Sequence, residues 1–388
     1  MSFVNGLELR KFVAPEFIFG VGARRLAGQY AKNFGAKRVL LVTDSGVLGT
    51  TIFGDVVNTL EGLGISYEIF SDVSENPREQ EVMDGANIYI QEKCEAIIAV
   101  GGGSPIDCAK GIGIVASNGG HILDYEGVDN VTLPIPPLVC IPTTSGASAD
   151  VSQFAIITDT SNQVKIAIVS KTVVPDVALI DPQTLLTLSP YLTACTCMDA
   201  FTHAIEAYVS NASSPITDLH ALEAIRYIYH NLSDTVATPQ DITLRGKTMY
   251  GSLQAGLAFS NAILGAVHAM AHSLGGFLDL PHGECNAILL PRVIEYNYDA
   301  APTRYNDIAN AIGIRTDNID NEQIKQQLIE SIETLKSSVG LNRRLSELGV
   351  KKEDIPHLAR KASLDPCLHT NPRKANIKDI EVIYEKAL

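Results

Sequence analysis

Through the first 184 residues, short and almost wholly apolar runs alternate with stretches of helical periodicity. Apolar runs at 17–22, 38–43, 66–71, 96–100, 138–141 and 177–180 have the length and β-branched content of buried strands. Amphipathic stretches at 23–34, 52–63, 77–93 and 108–115 lie between them. Strands that are apolar throughout, rather than on alternate positions, are covered on both faces, which predicts a parallel sheet flanked by helices. Two further runs, 154–158 and 164–170, read as strands joined by a turn at Asp159-Thr160-Ser161-Asn162. From about Pro190 the strand signals stop, and helices are expected at 200–209, 216–232, 243–260, 262–274, 286–298, 305–312, 321–339 and after Lys378. The fold class predicted is an α/β, Rossmann-like dinucleotide-binding domain over 1–184 followed by an all-α domain over 185–388. The cleft between two such domains is the expected meeting place of a cofactor and a substrate.

At 388 residues the chain exceeds one ordinary core, which agrees with two domains. A net charge of −14 argues against nucleic acid or an anionic membrane surface as partner. No run approaches 18 apolar residues, and the N-terminus has no apolar segment of secretory type, so a cytoplasmic location with reduced thiols is expected. The seven cysteines are scattered without zinc-ribbon spacing. Cys195 and Cys197 are read as packing residues rather than thiolate ligands.

Histidine placement changes the picture most. Within GAVHAMAHSLGGFLDLPHGECNA (265–287), His268 and His272 are four apart and share a helix face, and Pro281-His282-Gly283 reads as a loop that returns a third imidazole. Upstream, Asp199 and His203 form a second i,i+4 pair in MDAFTHAIEAY. One lone histidine would be read as a core or capping residue. Two such pairs in apolar helices suit a divalent transition metal, Fe(II) or Zn(II).

In the first domain, candidate contacts lie beyond the carboxyl ends of strands, where open α/β sheets bind ligands. Gly101-Gly102-Gly103-Ser104-Pro105-Ile106-Asp107 follows one strand and opens a helix, a place where a diphosphate can approach the backbone; a plain tight turn is the alternative. Pro142-Thr143-Thr144-Ser145-Gly146 offers hydroxyls after another strand. Asp44, after the second strand, suits an adenosine ribose and would repel a 2′-phosphate, although an ordinary helix-capping Asp has the same spacing.

These motifs, GGGSPID (101–107), IPTTSG (141–146), DAFTHAIEAY (199–208), the 265–287 stretch and Asn371-Pro372-Arg373, resemble the iron-containing alcohol dehydrogenase family over nearly the whole chain. The resemblance implies that Asp199, His203, His268 and His282 bind the metal. His272 then stands beside the substrate as a candidate proton-transfer residue. It further implies that Asp44, Asn76, Gly102, Gly103, Ser104, Asp107, Thr143, Thr144 and Lys165 contact NAD, and that Phe259 and Cys367 line the substrate pocket. The implied reaction is hydride transfer between a short primary alcohol or diol and the nicotinamide, in a homodimer or larger homo-oligomer. One departure from the family pattern is Ser145-Gly146-Ala147-Ser148-Ala149-Asp150, where alanine-glycine-threonine-glycine-serine-glutamate is common. Glycerol dehydrogenase and dehydroquinate-synthase-like enzymes are the neighbouring alternatives. The latter would need cations near the metal motifs, and 199–208 and 256–287 contain no Lys or Arg. A non-catalytic metal- or nucleotide-binding protein, or a filament subunit, is disfavoured by the intact ligand positions.

Overall fold

The computed structural model describes residues 9–162, 164–278 and 280–388. Its chain divides into two compact units, 13–187 and 188–388 with the N-terminal segment through Phe12. The expected boundary at 184/185 falls inside a 3-10 turn, Pro182–Thr187, and Leu9–Phe12 belongs with the helical unit rather than with the sheet.

In the first unit the strands are β1 (Glu16–Phe19), β2 (Arg38–Val42), β3 (Ser66–Phe70), β4 (Ala96–Gly101), β5 (Gly127–Val128), β6 (Leu138–Pro142), β7 (Phe154–Asp159), β8 (Val164–Val169) and β9 (Val177–Ile180). The helices are α1 (Ala27–Asn33), α2 (Ser45–Leu48), α3 (Thr51–Glu61), α4 (Glu79–Gln91) and α5 (Gly103–Asn118). Six strands form a parallel sheet in the order β1-β9-β6-β4-β2-β3. Alternate residues of the same strands feed two cores. Leu40, Val42, Ile97, Ala99, Leu138 and Cys140 face one cluster, while Val39, Leu41, Ile98, Val100, Val139 and Ile141 face the other. That is why these strands are apolar at every position.

Strand order reverses direction about β2: β3 lies to one side of it and β4 to the other. The carboxyl ends of β2 and β4, at Thr43–Asp44 and Gly101–Gly103, therefore flank the switch point of the sheet. A separate sheet carries β5, β8 and β7, with β7 and β8 antiparallel as the turn at 159–162 predicts. The glycine segment differs from expectation. Only Gly101 and Gly102 precede α5, which already begins at Gly103, because Pro105 tolerates a first helical turn whose N–H groups have no intrahelical partner.

The second unit contains α6 (Pro190–Val209), α7 (Pro215–Ala237), α8 (Ile242–Ala262), α9 (Ala266–Leu278), α10 (His282–Asn297), α11 (Pro302–Ala311), α12 (Asn321–Ser338), α13 (Ile355–Ala362) and α14 (Ile377–Ala387). α6 starts ten residues before the expected 200, capped by Ser189 whose hydroxyl accepts from the Leu192 N–H, with Pro190 in its first turn. α13 was not expected from periodicity. Among the described residues no single helix is long and apolar enough to cross a membrane; α8 and α9 together are, but the chain bends by 102° between them. At the bend Ile263 adopts φ 61°, a costly conformation for a β-branched residue. Ser210 donates to the Ala262 carbonyl at 2.5 Å and Thr370 to the Leu264 carbonyl at 2.6 Å, which pins the turn.

Candidate metal centre

α6 places Asp199 and His203 on one face, and α9 does the same for His268 and His272. His282 does not sit in a loop. It is the first residue of α10, after Pro281, so the third imidazole is fixed by a helix start. All five side chains belong to the helical unit.

Three ring nitrogens converge on one carboxylate oxygen. Asp199 Oδ1 lies 3.7 Å from His203 Nε2, 3.6 Å from His268 Nε2 and 3.8 Å from His282 Nε2. These separations are too long for hydrogen bonds. With ligand distances of about 2.0–2.2 Å, a tetrahedral site holds neighbouring donors roughly 3.4 Å apart, so the set is spaced to share a cation. The ligand-type atoms of Asp199, His268 and His282 all lie within 4.8 Å of one another. Asn286, four residues after His282, donates to Asp199 Oδ1 at 2.7 Å and orients the carboxylate; its own buried Oδ1 has no hydrogen-bond partner among the described residues. By donor chemistry, one carboxylate and three imidazoles, and by spacing, the residues present fit Fe(II) or Zn(II).

Burial alone would raise the Asp199 carboxyl, but the imidazoles of His203, His268 and His282 hold it well below the usual range. For His268 burial opposes protonation, and the carboxylates of Asp199 and Glu206 outweigh it, pushing the imidazole up to about 9.

The remaining candidates of the helical unit lie near this set. Phe259 is buried and stacks on His203, with ring centroids 4.2 Å apart. His272 stacks on His282 at 5.1 Å, and its Nδ1 lies 2.8 Å from Asp365 Oδ2. Cys367, whose N–H donates to Asp365 Oδ1 at 2.8 Å, offers its sulfur within 4.8 Å of ligand-type atoms of His272 and Asp365. All seven cysteines are free thiols.

In the sheet unit, the candidate cofactor residues cluster at strand ends. Thr143 and Thr144 follow β6, and the Thr143 N–H donates to the Gly101 carbonyl at 2.9 Å, beside Gly102 and Gly103. Ser104 donates to the Glu75 carbonyl, and Lys165 Nζ donates to Asn76 Oδ1 at 2.7 Å. Asp107 is pushed up to about 6 by burial, partly offset by Lys110. Asp44 caps α2: its Oδ1 accepts from the N–H groups of Gly46 at 2.8 Å and Val47 at 3.0 Å. In the variant loop Asp150 is buried and likewise pushed up to about 6.

Two family models cover the chain. Residues 14–182 match "Iron-containing alcohol dehydrogenase", and residues 193–388 match "Fe-containing alcohol dehydrogenase family, C-terminal". The chain belongs to the iron-containing alcohol dehydrogenase family. It is an alcohol oxidoreductase. It is 43% identical to a 1,3-propanediol dehydrogenase of Citrobacter freundii, over 95% of this chain and 96% of that one. To an NAD-dependent methanol dehydrogenase of Bacillus methanolicus it is 37% identical, over 97% and 99%. A solved 1,3-propanediol oxidoreductase superposes with a TM-score of 0.96 at 40% identity, covering 98% of this chain and 100% of that one.

Several residues around the centre of this family member escaped the sequence reading. Glu206 follows Asp199 by seven and His203 by three, so a carboxylate on the same helix face was a signal available in the sequence. Asn286, four after His282, had the same kind of signal. Asp365 had none, because it meets His272 across 93 residues of chain.

Proposed function

We propose that this chain is an NAD-linked, metal-dependent dehydrogenase of short primary alcohols or diols, with Asp199, His203, His268 and His282 as the metal ligands. The observation that carries the reading is the convergence of three Nε2 atoms on Asp199 Oδ1 at 3.6–3.8 Å. Substrate class and cofactor rest on the relatives, whose names specify a three-carbon diol, methanol and NAD.

Bound at this centre, Fe(II) or Zn(II) supplies Lewis acidity that makes a primary alcohol a better hydride donor. The chain's own residues do the rest. Phe259, packed on His203, and Cys367, beside Asp365, would line the place where the alcohol binds. His272 holds its Nδ1 proton against Asp365, which leaves Nε2 to take the hydroxyl proton as the aldehyde forms. On the sheet unit, Gly102, Gly103 and Ser104 at the start of α5 receive the diphosphate, with Thr143 and Thr144 beside them. Asp107, Asn76 and Lys165 complete the contacts. Asp44 disfavours a 2′-phosphate by like-charge repulsion, and Ser45-Gly46-Val47-Leu48-Gly49 offers no cation to offset it.

The enzyme is further proposed to be cytoplasmic and a homo-oligomer. Among the described residues β1 is an edge strand with Phe17 and Phe19 exposed, a surface suited to pairing with a second copy. A light-scattering mass near that of one chain, 41.7 kDa, at micromolar concentration would reject it.

The activity test follows NADH absorbance with a panel of short alcohols and diols, using enzyme stripped of metal and enzyme reloaded with ferrous iron or zinc. Metal-dependent NADH formation with at least one primary alcohol is expected. Turnover that persists unchanged after metal removal would refute the reading, as would NADP used as well as NAD for the assignment of Asp44.

A further inference from the structure

We propose that Glu206 is the positioning residue of the metal centre: its carboxylate fixes the tautomer and orientation of His268 and, through the same oxygens, the start of the helix that carries it. The proposal rests on the reading of Asp199, His203, His268 and His282 as metal ligands.

Glu206 is buried on α6, one turn beyond His203. Its Oε2 lies 2.5 Å from His268 Nδ1 and accepts from the Gly265 N–H at 3.1 Å; its Oε1 accepts from the Val267 N–H at 2.6 Å. An ionised carboxylate accepts and does not donate, so the proton of this pair sits on Nδ1. In the neutral ring that metal binding requires, Nε2 is then the nitrogen that presents a lone pair, and it is the one 3.6 Å from Asp199 Oδ1. The first turn of α9 has N–H groups with no partner inside the helix. Here they are met from far along the chain: Glu206 takes Gly265 and Val267, and Asn371 Oδ1 takes Ala266 at 3.1 Å.

Glycine at 265 leaves room for this arrangement. A Cβ there would stand 2.9 Å from both Glu206 Oε1 and Asn371 Oδ1, and would push the two acceptors off the amides. The DAFTHAIEAY motif, the glycine that opens the histidine motif and the Asn371-Pro372-Arg373 ending thus meet at one point. Glu206 has a double task that Asn371 does not share: both hold the helix start, but only Glu206 touches a ligand ring. Such carboxylate–histidine–metal arrangements raise ligand basicity and restrict ring rotation.

The test uses the full-length enzyme, stripped of metal, with Zn(II) affinity read by competition against a chromophoric chelator and the site geometry read from the visible bands of the Co(II) form. Glu206→Gln is expected to weaken Zn(II) binding about 10- to 100-fold and to shift the Co(II) bands. Asn371→Ala, which removes a cap from the same helix turn without touching His268, is expected to leave affinity near that of the wild type. Equal loss in the two variants would show that Glu206 acts only by capping α9, and unchanged affinity in Glu206→Gln would overturn the proposal outright. Should Glu206→Gln fail to fold, nitrogen NMR of the histidine-labelled, zinc-loaded wild type decides: His268 must carry its proton on Nδ1 and the metal on Nε2, and the reverse refutes the proposal. A wild type that binds no Zn(II) would instead sink the assignment of the metal ligands.

Discussion

Gly283 packs directly on the main chain of α6, with so little room that a Cβ at 283 would overlap the Cys195 carbonyl oxygen and approach Asp199 Cβ at 3.2 Å. This contact lets the first turn of α10 lie against α6, one residue after His282 and four before Asp199.

Gly283→Ala is therefore expected to push α10 away from α6 and draw His282 Nε2 out of the proposed ligand set. Backbone cannot give way as a flexible side chain does, so the cost should reach that of overpacking a core, about 1–3 kcal/mol. Metal analysis and thermal unfolding check it together. A variant that keeps full metal occupancy and wild-type stability would show that α10 can shift without disturbing the centre.

His272→Ala should retain the metal and lose rate. Its Nδ1 is engaged by Asp365, and burial of that carboxyl is more than offset by His272 and the Cys367 N–H, which hold it well below the usual range. Loss of a positioned proton-transfer group typically costs about 10²–10⁴ in turnover. Asp365→Ala should lower turnover in the same direction, because the ring loses the partner that sets its tautomer. Metal content is the deciding measurement: a His272→Ala protein without metal would make His272 a ligand, and one with full rate would make it a packing residue.

Lys110 is wholly buried on α5, and its ammonium donates to the carbonyls of Ser152 at 2.9 Å and Phe154 at 2.6 Å, with Asp107 Oδ1 4.0 Å away. Burial lowers its pKa, and Asp107, Cys140 and Asp150 work against that. Lys110→Met removes the donor that both carbonyls share and the positive charge that acts on Asp107 and Asp150. A cost of about 3 kcal/mol in the sheet unit is expected, the scale for removing one partner of a buried charge cluster. Urea unfolding reads it; a variant as stable as the wild type would mean that the cluster adds nothing.

Asp159 anchors the β7–β8 turn by accepting from Ser161 Oγ at 2.6 Å, Asn162 Nδ2 at 2.7 Å and the N–H groups of both residues at 3.0 Å. The bonds from Ser161 and then Asn162 pull its carboxyl down to about 2. Because the folded value lies below that of a free aspartate, about 3.9, the stability it confers is present above pH 4 and is lost as pH falls through about 2. Asp159→Ala should thus be less stable than the wild type at pH 6, and the gap should close as pH falls below about 2. A difference that stays constant across that range would assign the effect to the turn's shape rather than to the charge.

Local patterns along the chain already carried the two architectures and the residue types of the candidate metal centre. Runs such as RVLLV and AIIAV need cover on both faces, and an i,i+4 pair such as Asp199 and His203 must share a helix face, because both facts follow from local geometry. Local geometry also made His268 and His272 look equivalent. The tertiary structure distinguishes them: His268 Nε2 lies 3.6 Å from Asp199 Oδ1, while His272 stacks on His282 and meets Asp365. Likewise a Pro-His-Gly sequence is compatible with a loop, and it became a helix start because Gly283 admits the α6 backbone at close range. Asp44 after a strand is compatible with a ribose contact or a helix cap; folded, its Oδ1 caps α2. Each of these outcomes depends on partners tens of residues away or on the register of the next helix, neither of which a local pattern encodes.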